Sequence, residues 1–206
     1  MILRENKDRL LLIFTRNPKL GKCKTRLAAT IGDQAALEIY TILLRHTAEI
    51  TKNLNCSKEV HYSDEVTVND LWDNENYSKH LQKGNDLGER MYSAFKSGFQ
   101  KGYKKIIIIG SDMYDLKSET IEQAFRAMED SDFVIGPAED GGYYLLGMKT
   151  LNKKVFANKN WGSNCVLEET LKDLDPKNVR LLQPKNDIDL YEDLVGIDIF
   201  KRFIKN

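Results

Sequence analysis

Carboxylates and cations set close to short apolar runs are the features of this chain that could do chemistry. The plainest case is KKIIIIGSDMYDL, residues 104–116. Ile106 to Ile109 form a β-branched run that is apolar on both faces, the pattern of a strand covered on both sides in a parallel sheet. Gly110 then releases the chain into Ser111, Asp112 and, three residues on, Asp115. In open α/β sheets ligands gather beyond the carboxyl ends of the strands, and carboxylates there suit a hard divalent cation such as Mg²⁺. The bland alternative is that Asp112 and Asp115 cap the next helix.

A basic stretch follows the first apolar run. RLLLIFT, residues 9–15, reads as a buried strand, and NPKLGKCKTRLA after it sets Lys19, Lys22, Lys24 and Arg26 around Gly21. At a strand's carboxyl end such a loop could hold phosphate oxygens through its charge and its free backbone N–H groups. It has neither the G-x-x-x-x-G-K-[ST] nor the G-x-G-x-x-G spacing. A solvated basic turn is the alternative.

Three further loops carry candidates. In QKGNDLGERM, Gln82 and Asn85 offer amide groups that suit a base edge, whereas Asp86 could simply begin a helix. In AEDGGYYLLG, Glu139 and Asp140 before Gly141 and Gly142 could position an acceptor or act as a base, or be ordinary turn residues. In NDIDLYEDL, Asp187 and Asp189 flank Ile188, so an extended backbone points both to one side. One of them together with Asp112 would give the convergent carboxylates Mg²⁺ needs, although Asp189 with Glu192 also has the form of a capping box. His46, His61 and His80 are far apart in sequence and read as structural.

These loops need strands and helices to bring them together. Gly32-Asp33 opens a long helical pattern through Ile50, and EVHYS, residues 59–63, reads as a second strand. Residues 64–80 are polar with isolated aromatics Trp72 and Tyr77 and give no clear element. A helix from Asp86, the Ile strand, a helix from Ser118, two strands around Gly141-Gly142, a helix from Cys165 to Leu174, a strand at 179–183 and a C-terminal helix complete the series. No repeat or linker interrupts it. The alternation predicts one domain, a three-layer α/β/α sandwich on a mostly parallel sheet.

Bulk properties narrow the partners. The 206 residues can bury a sizeable core, and 41% hydrophobic with 30% charged residues describes an ordinary globular protein. Lys plus Arg equals Asp plus Glu at 31 each, so no global basic field points to nucleic acid. The only apolar stretch near the start is too short to span a bilayer. Cys23, Cys56 and Cys165 form neither a disulfide framework nor a C-x-x-C pair, which fits a reducing, cytoplasmic setting. Exposed aromatics, if Trp72 is one, could serve a homodimer.

FTRNPKLGKCKTRLA, QKGNDLGERM, IIIIGSDMYDL, GPAEDGGYYLLGM and NDIDLYEDL, taken in order, resemble the rSAM/selenodomain-associated transferase 1 family, linked by name to a glycosyltransferase of arsenosugar biosynthesis. The resemblance runs from about Leu11 to Leu194. It implies the GT-A nucleotide-diphospho-sugar transferase fold, with distant similarity to molybdopterin and phospholactate nucleotidyltransferases. It further implies that the loop after the first strand holds the nucleotide's phosphates, which makes Thr15, Arg16, Gly21, Lys22, Lys24 and Arg26 the candidates there, with Gln82 and Asp86 joining them on residue type. By the same resemblance Asp112, with Asp187 or Asp189, binds Mg²⁺ or Mn²⁺, and Asp112, Lys24 and Arg26 carry catalysis. One departure is Met113-Tyr114, where the family more often has Cys-Pro; this bears on the acceptor side, since the Asp is kept.

Three functions follow as expectations. The first is metal-dependent transfer from a nucleotide-activated donor to a small-molecule acceptor, with a nucleotide sugar as donor. The second is nucleotidyl transfer from a nucleoside triphosphate to a phosphorylated acceptor, releasing pyrophosphate, which the strongly basic first loop would suit. The third is a non-catalytic nucleotide-binding partner using residues 64–80 as an interaction surface.

Overall fold

Strand β1 (Arg9–Thr15) is apolar at nearly every position because it is covered on both faces, and the same holds for β4 (Lys105–Gly110) beside it. The structure, a computed structural model, describes residues 8–204. Around this pair lie β2 (Ser57–Tyr62), β3 (Ser78–Leu81), β5 (Phe133–Pro137), β6 (Tyr143–Met148) and β7 (Val179–Leu181), in the order β3-β2-β1-β4-β6-β5-β7. Only β6 runs antiparallel to its neighbours. All other strands therefore end at one edge of the sheet, and β6 starts there.

Five α-helices cover the sheet: α1 (Thr25–Ile31), α2 (Asp33–Lys52), α3 (Leu87–Gln100), α4 (Ser118–Ala127) and α5 (Val166–Lys172). Alternate residues of one strand face opposite layers. Leu11, Ile13, Ile107 and Ile109 pack with Tyr40 and Leu44 of α2 and Phe125 of α4. Leu10, Leu12, Ile106 and Ile108 pack with Met91 and Phe95 of α3 and with Val155 and Phe156. A third cluster joins Leu27 of α1 and Ile39 and Leu43 of α2 to Ile188, Leu194 and Phe200 near the C-terminus. The expected three-layer α/β/α sandwich is what forms, and among the described residues no helix is long and apolar enough to cross a membrane.

Three local expectations are corrected. The polar stretch before His80 ends in strand β3, a short edge strand whose burial is only partial, so neither alternation nor an apolar run marks it. The expected C-terminal helix is instead two 3-10 segments, Glu192–Leu194 and Asp198–Phe203, separated by Gly196 at φ 85°. Trp72 and Tyr77 are not surface aromatics: they are 1% and 3% exposed and pack edge-to-face, with Tyr77 bonding Thr51 and the Ala48 carbonyl. They therefore offer no face to a dimer or other partner.

Candidate active site

The strand ends decide which side chains can meet. The loops after Thr15, Leu81, Gly110, Pro137 and Leu181, and the one leading into Tyr143, all open on the same sheet edge. β4 is central, so Asp112 stands in the middle of that edge.

The basic loop ends in a helix the sequence reading treated as loop. α1 begins at Thr25 on Lys24, whose backbone is left-handed, at φ 47° and ψ 50°. That conformation is costly for a residue with a Cβ and persists only where other contacts hold it. What holds it is visible: the Lys24 side chain is 6% exposed and its Nζ donates to Asp112 Oδ2 at 2.9 Å, with Asp189 Oδ1 at 3.7 Å. Burial alone would lower the Lys24 ammonium, but the charge and hydrogen bond of Asp112, with Asp189 and Asp187 behind it, outweigh burial and raise it. Arg26, on the exposed face of α1, places Nε 3.0 Å from Asp189 Oδ2. Arg16 and Lys22 are exposed, while Lys19 is turned away to Glu65 at 2.9 Å. Gly21, at φ 70°, supplies the turn between them.

Three carboxylates face this loop in different states. Burial pushes the Asp112 carboxyl up, yet the charge and hydrogen bond of Lys24, its own backbone amide and Arg16 together hold it below the usual carboxylate range. Asp189 is engaged by Arg26 and Lys24. Asp187 has no hydrogen bond or ion pair among the described residues, and burial followed by the charge of Asp112 raises it to about 6. The segment carrying Asp187 is fixed to the Asp112 loop by the Ile188 N–H donating to the Asp112 carbonyl at 3.4 Å, and by Lys185 bridging the Asp115 carboxylate at 2.7 Å and its carbonyl at 2.9 Å. Asp115 is thus an anchor for that strand-end loop. Asp193, within the following 3-10 turn, accepts from the Asp189 and Leu190 N–H groups, and the Asp189 side chain is left to the cations.

Beside Asp112 and Asp187 opens a cleft of about 300 Å³ between α3, the β4 and β6 ends and the 161–166 segment. Asp140 and Gly142 line it, with the Asp140 Oδ1 accepting from the Gly142 N–H at 2.8 Å; Glu139 is exposed and outside it. Gly141, at φ 88°, lies so close to the Asn164 carbonyl that a Cβ would sit 2.1 Å from it. Gly88 likewise leaves room for Trp161, whose Nε1 would be 2.6 Å from a Cβ there. The glycine pair and Trp161-Gly162-Ser163 thus fold one wall of the cleft together.

Two expected nucleotide contacts have local duties instead. The Gln82 amide donates to the His61 and Thr15 carbonyls, at 2.9 and 3.3 Å, and its oxygen lies 3.4 Å from Arg90, so it ties strand ends together. Asp86 is the N-cap of α3, accepting from the Glu89 N–H. His61 and His80 do meet, contrary to the sequence reading: they face one another across β2 and β3, stack at 5.1 Å and flank Glu59, which Lys101 also bonds at 2.6 Å. This cluster lies within the sheet layer, away from the loops above, and reads as structural.

The sequence reading missed Tyr40, Ser111 and Asn17. The Tyr40 hydroxyl, buried on α2, accepts from the Arg16 N–H at 2.9 Å, donates to the Arg16 carbonyl at 3.2 Å and lies 3.3 Å from both Thr15 Oγ1 and Ser111 Oγ. It joins the start of the basic loop to the residue before Asp112. Asn17, 4% exposed, clamps the same loop to residues 64 and 65. Tyr40 was legible only as one apolar position of a helix, because its hydroxyl's partners are remote in sequence.

Among the described residues no three His, Cys, Asp or Glu side chains gather tightly enough to hold a metal by themselves. Asp112 and Asp187 nevertheless have the character of a cation pair, since the Asp112 charge makes that of Asp187 costly and Asp187 has no hydrogen bond or ion pair among the described residues. Mg²⁺ is commonly held by one or two carboxylates and completed by substrate phosphates and water, which this donor set fits.

Residues 46–163, more than half of the chain, match the family described as "Uncharacterized protein conserved in bacteria (DUF2064)". No curated protein matches the chain. A crystal structure from Desulfovibrio desulfuricans, provisionally described as a nucleotide-diphospho-sugar transferase, is 26% identical with a TM-score of 0.83, covering 95% of this chain and 91% of that one. A cytidylyltransferase from Leptospira borgpetersenii is 14% identical with a TM-score of 0.53, covering 89% and 79%. A Mycobacterium tuberculosis protein in complex with manganese is 10% identical with a TM-score of 0.53, covering 91% and 96%. The fold is that of the nucleotide-diphospho-sugar transferases.

Proposed function

The chain belongs to the DUF2064 family, and from that premise we propose that it is a metal-dependent transferase acting on a nucleotide-activated donor, with a nucleotide sugar as the donor and a glycosyl group transferred. The observation that carries this reading is the convergence of Asp112 and Asp187 beside the buried Lys24 ammonium, at the mouth of a cleft large enough for a small acceptor. The provisional description of the Desulfovibrio structure supports it, as does the resemblance to the rSAM/selenodomain-associated transferase 1 family.

In this reading the bond between the donor's phosphate and the transferred group breaks, and its electron pair leaves with the nucleotide. Lys24, Lys22, Arg16 and Arg26 neutralise the charge that develops there, an electrostatic rather than covalent contribution. Asp112 and Asp187 would hold Mg²⁺ or Mn²⁺, which supplies Lewis-acid charge at the phosphate oxygens when bound. Asp189 orients Arg26 and backs Lys24. Gln82 fixes the end of β3 and Asp86 the start of α3 on the nucleotide's side, and Asp140 and Gly142, with Gly141 behind them, form the acceptor's side, Glu139 lying at its exposed margin. Two buried free cysteines and one exposed suit a reducing, cytoplasmic setting.

A second reading, nucleotidyl transfer, has one observation in its favour: four cationic side chains, Arg16, Lys22, Lys24 and Arg26, on the loop and helix after β1 would suit a triphosphate. Incubation with labelled nucleoside triphosphates and pyrophosphate separates the two. Pyrophosphate exchange sinks glycosyl transfer. Release of nucleoside diphosphate from a nucleotide sugar, dependent on Mg²⁺ or Mn²⁺ and abolished by Asp112→Ala, supports it; metal-independent behaviour unchanged in that variant sinks both.

A further inference from the structure

The cleft beside Asp112 differs sharply between its rim and its interior. Its rim carries Asp112, Asp140 and Asp187, and no Lys, Arg or His is among the residues that line it. A phosphorylated or carboxylated acceptor inside the cleft would find no cation on its wall, and the nearest, Lys24, is already bonded to Asp112. Uncompensated charge in such a site is expensive.

The interior is apolar even where the residue types are polar. Tyr143 lines the cleft, yet its hydroxyl is buried beside the Thr170 side chain of α5. Tyr144 sends its hydroxyl to the Gln183 carbonyl at 3.1 Å. Trp161 turns Nε1 toward Gly88 of α3. What these side chains leave to the cleft is ring carbon, completed by Phe14, Met91 and Ile108. Beyond the rim carboxylates, Ser163 is the one other hydroxyl on the wall not engaged in this way, and it already accepts from the Cys165 N–H at 3.4 Å. A polyhydroxylated molecule pushed into such a space would leave several hydroxyls unpaired, and an unpaired buried hydroxyl is costly.

We propose that this cleft is the acceptor subsite and that it takes an uncharged alcohol with an apolar, ring-sized body, holding its hydroxyl at the Asp112–Asp187 rim. The inference rests on the transferase reading for the word acceptor, but the binding preference stands on the cleft alone. It also bears on the two chemistries, because a phosphorylated acceptor would find no cation on the cleft wall beyond the rim. Transfer would form a bond from the alcohol's oxygen to the donated group as the donor's phosphate bond breaks. The hydroxyl proton passes to a rim carboxylate and then to solvent.

The chain has two tryptophans, and the other, Trp72, is 1% exposed, so cleft binding is readable in Trp161 emission. 2-Phenylethanol, phenyl phosphate and methyl glucoside are titrated into the full chain. The expected result is saturable binding of 2-phenylethanol at least about tenfold tighter than of the other two, the scale of burying one aromatic ring. The emission change should vanish in Trp161→Phe, which keeps Trp72. Leu87, 44% exposed on the cleft wall at the first position of α3, gives a second variant. Leu87→Asp suits a helix start and so keeps the fold, and it should weaken 2-phenylethanol about tenfold. Phenyl phosphate or methyl glucoside binding as tightly as 2-phenylethanol, or 2-phenylethanol indifferent to Leu87→Asp, overturns the proposal. A thermal-shift series with nucleoside diphosphates and Mg²⁺ on the same protein tests the donor end separately. If those ligands do nothing while 2-phenylethanol binds as expected, the transferase reading fails and the subsite stands.

Discussion

Lys24 and Asp112 meet at 2.9 Å across the edge between β1 and β4, and the lysine holds a left-handed backbone to do so. The pair therefore joins the basic loop after β1 to the Asp112 loop after β4 before any ligand arrives. Lys24→Ala and Lys24→Gly should both cut turnover by about 100-fold or more, the scale of losing one preorganised charge aimed at the leaving group. They should differ in stability. Glycine adopts φ 47° freely, whereas alanine keeps the strain without the ion pair, so the glycine variant should be more stable by about 1 kcal/mol in urea unfolding. Equal midpoints would mean that the left-handed backbone is not maintained in solution.

Asp187 gives a pH test with a definite sign. Its folded value of about 6 lies above the ordinary 3.8, because burial and the Asp112 charge disfavour the carboxylate. The resulting destabilisation is absent below about pH 4, grows as pH rises and is complete above about pH 6. Asp187→Asn should therefore stabilise the metal-free protein at pH 7 by about 1–2 kcal/mol, discounted for its partial exposure, and by much less at pH 4. Metal binding needs the carboxylate, so Mg²⁺ affinity should fall as pH drops through 6 and be weak in the variant at every pH. Calorimetric titration with Mg²⁺ and a nucleoside diphosphate at pH 5 and 7.5 reads both.

How much of this was readable beforehand varied with the range of the determining contacts. The strands, the sandwich and the sheet edge that carries the candidate loops were legible because buried parallel strands write themselves as apolar runs and place their loops together. Asp112 and the basic loop were legible as residue types in the right places. Their mutual bond was not, since residues 24 and 112 meet only through the β1–β4 pairing. The different states of Asp187 and Asp189 also waited on tertiary structure, where Arg26 and Lys24 engage Asp189 while Asp187 has no hydrogen bond or ion pair among the described residues. Gln82 and Asp86 looked available in sequence and are committed to nearby backbone groups. The sheet's polar edge strand β3 left no periodic trace at all.

The acceptor wall can be perturbed through backbone alone. Gly141→Ala would put a Cβ 2.1 Å from the Asn164 carbonyl at φ 88°, so the 161–166 segment would have to move. The expected cost is about 1–3 kcal/mol in unfolding free energy. Acceptor KM should rise more than donor KM, because Trp161 and Ser163 line the acceptor's cleft and the basic loop is not touched. A matched loss in both would mean that the wall also carries the donor.

Tyr40 offers the converse test on the donor's side. Its hydroxyl bonds the Arg16 backbone on both sides and reaches Thr15 and Ser111, so it sets the phosphate loop relative to Asp112 without contacting a ligand itself. Tyr40→Phe keeps the ring in its cluster with Ile13 and Leu44 but removes the bridge. The loss in stability should be about 1 kcal/mol, as for one buried hydrogen-bonded group. A purely structural role would end there. A positioning role requires in addition that donor KM rise several-fold while acceptor KM stays the same, and that Tyr40→Ala, with a larger loss of stability from its cavity, show the same donor-selective pattern.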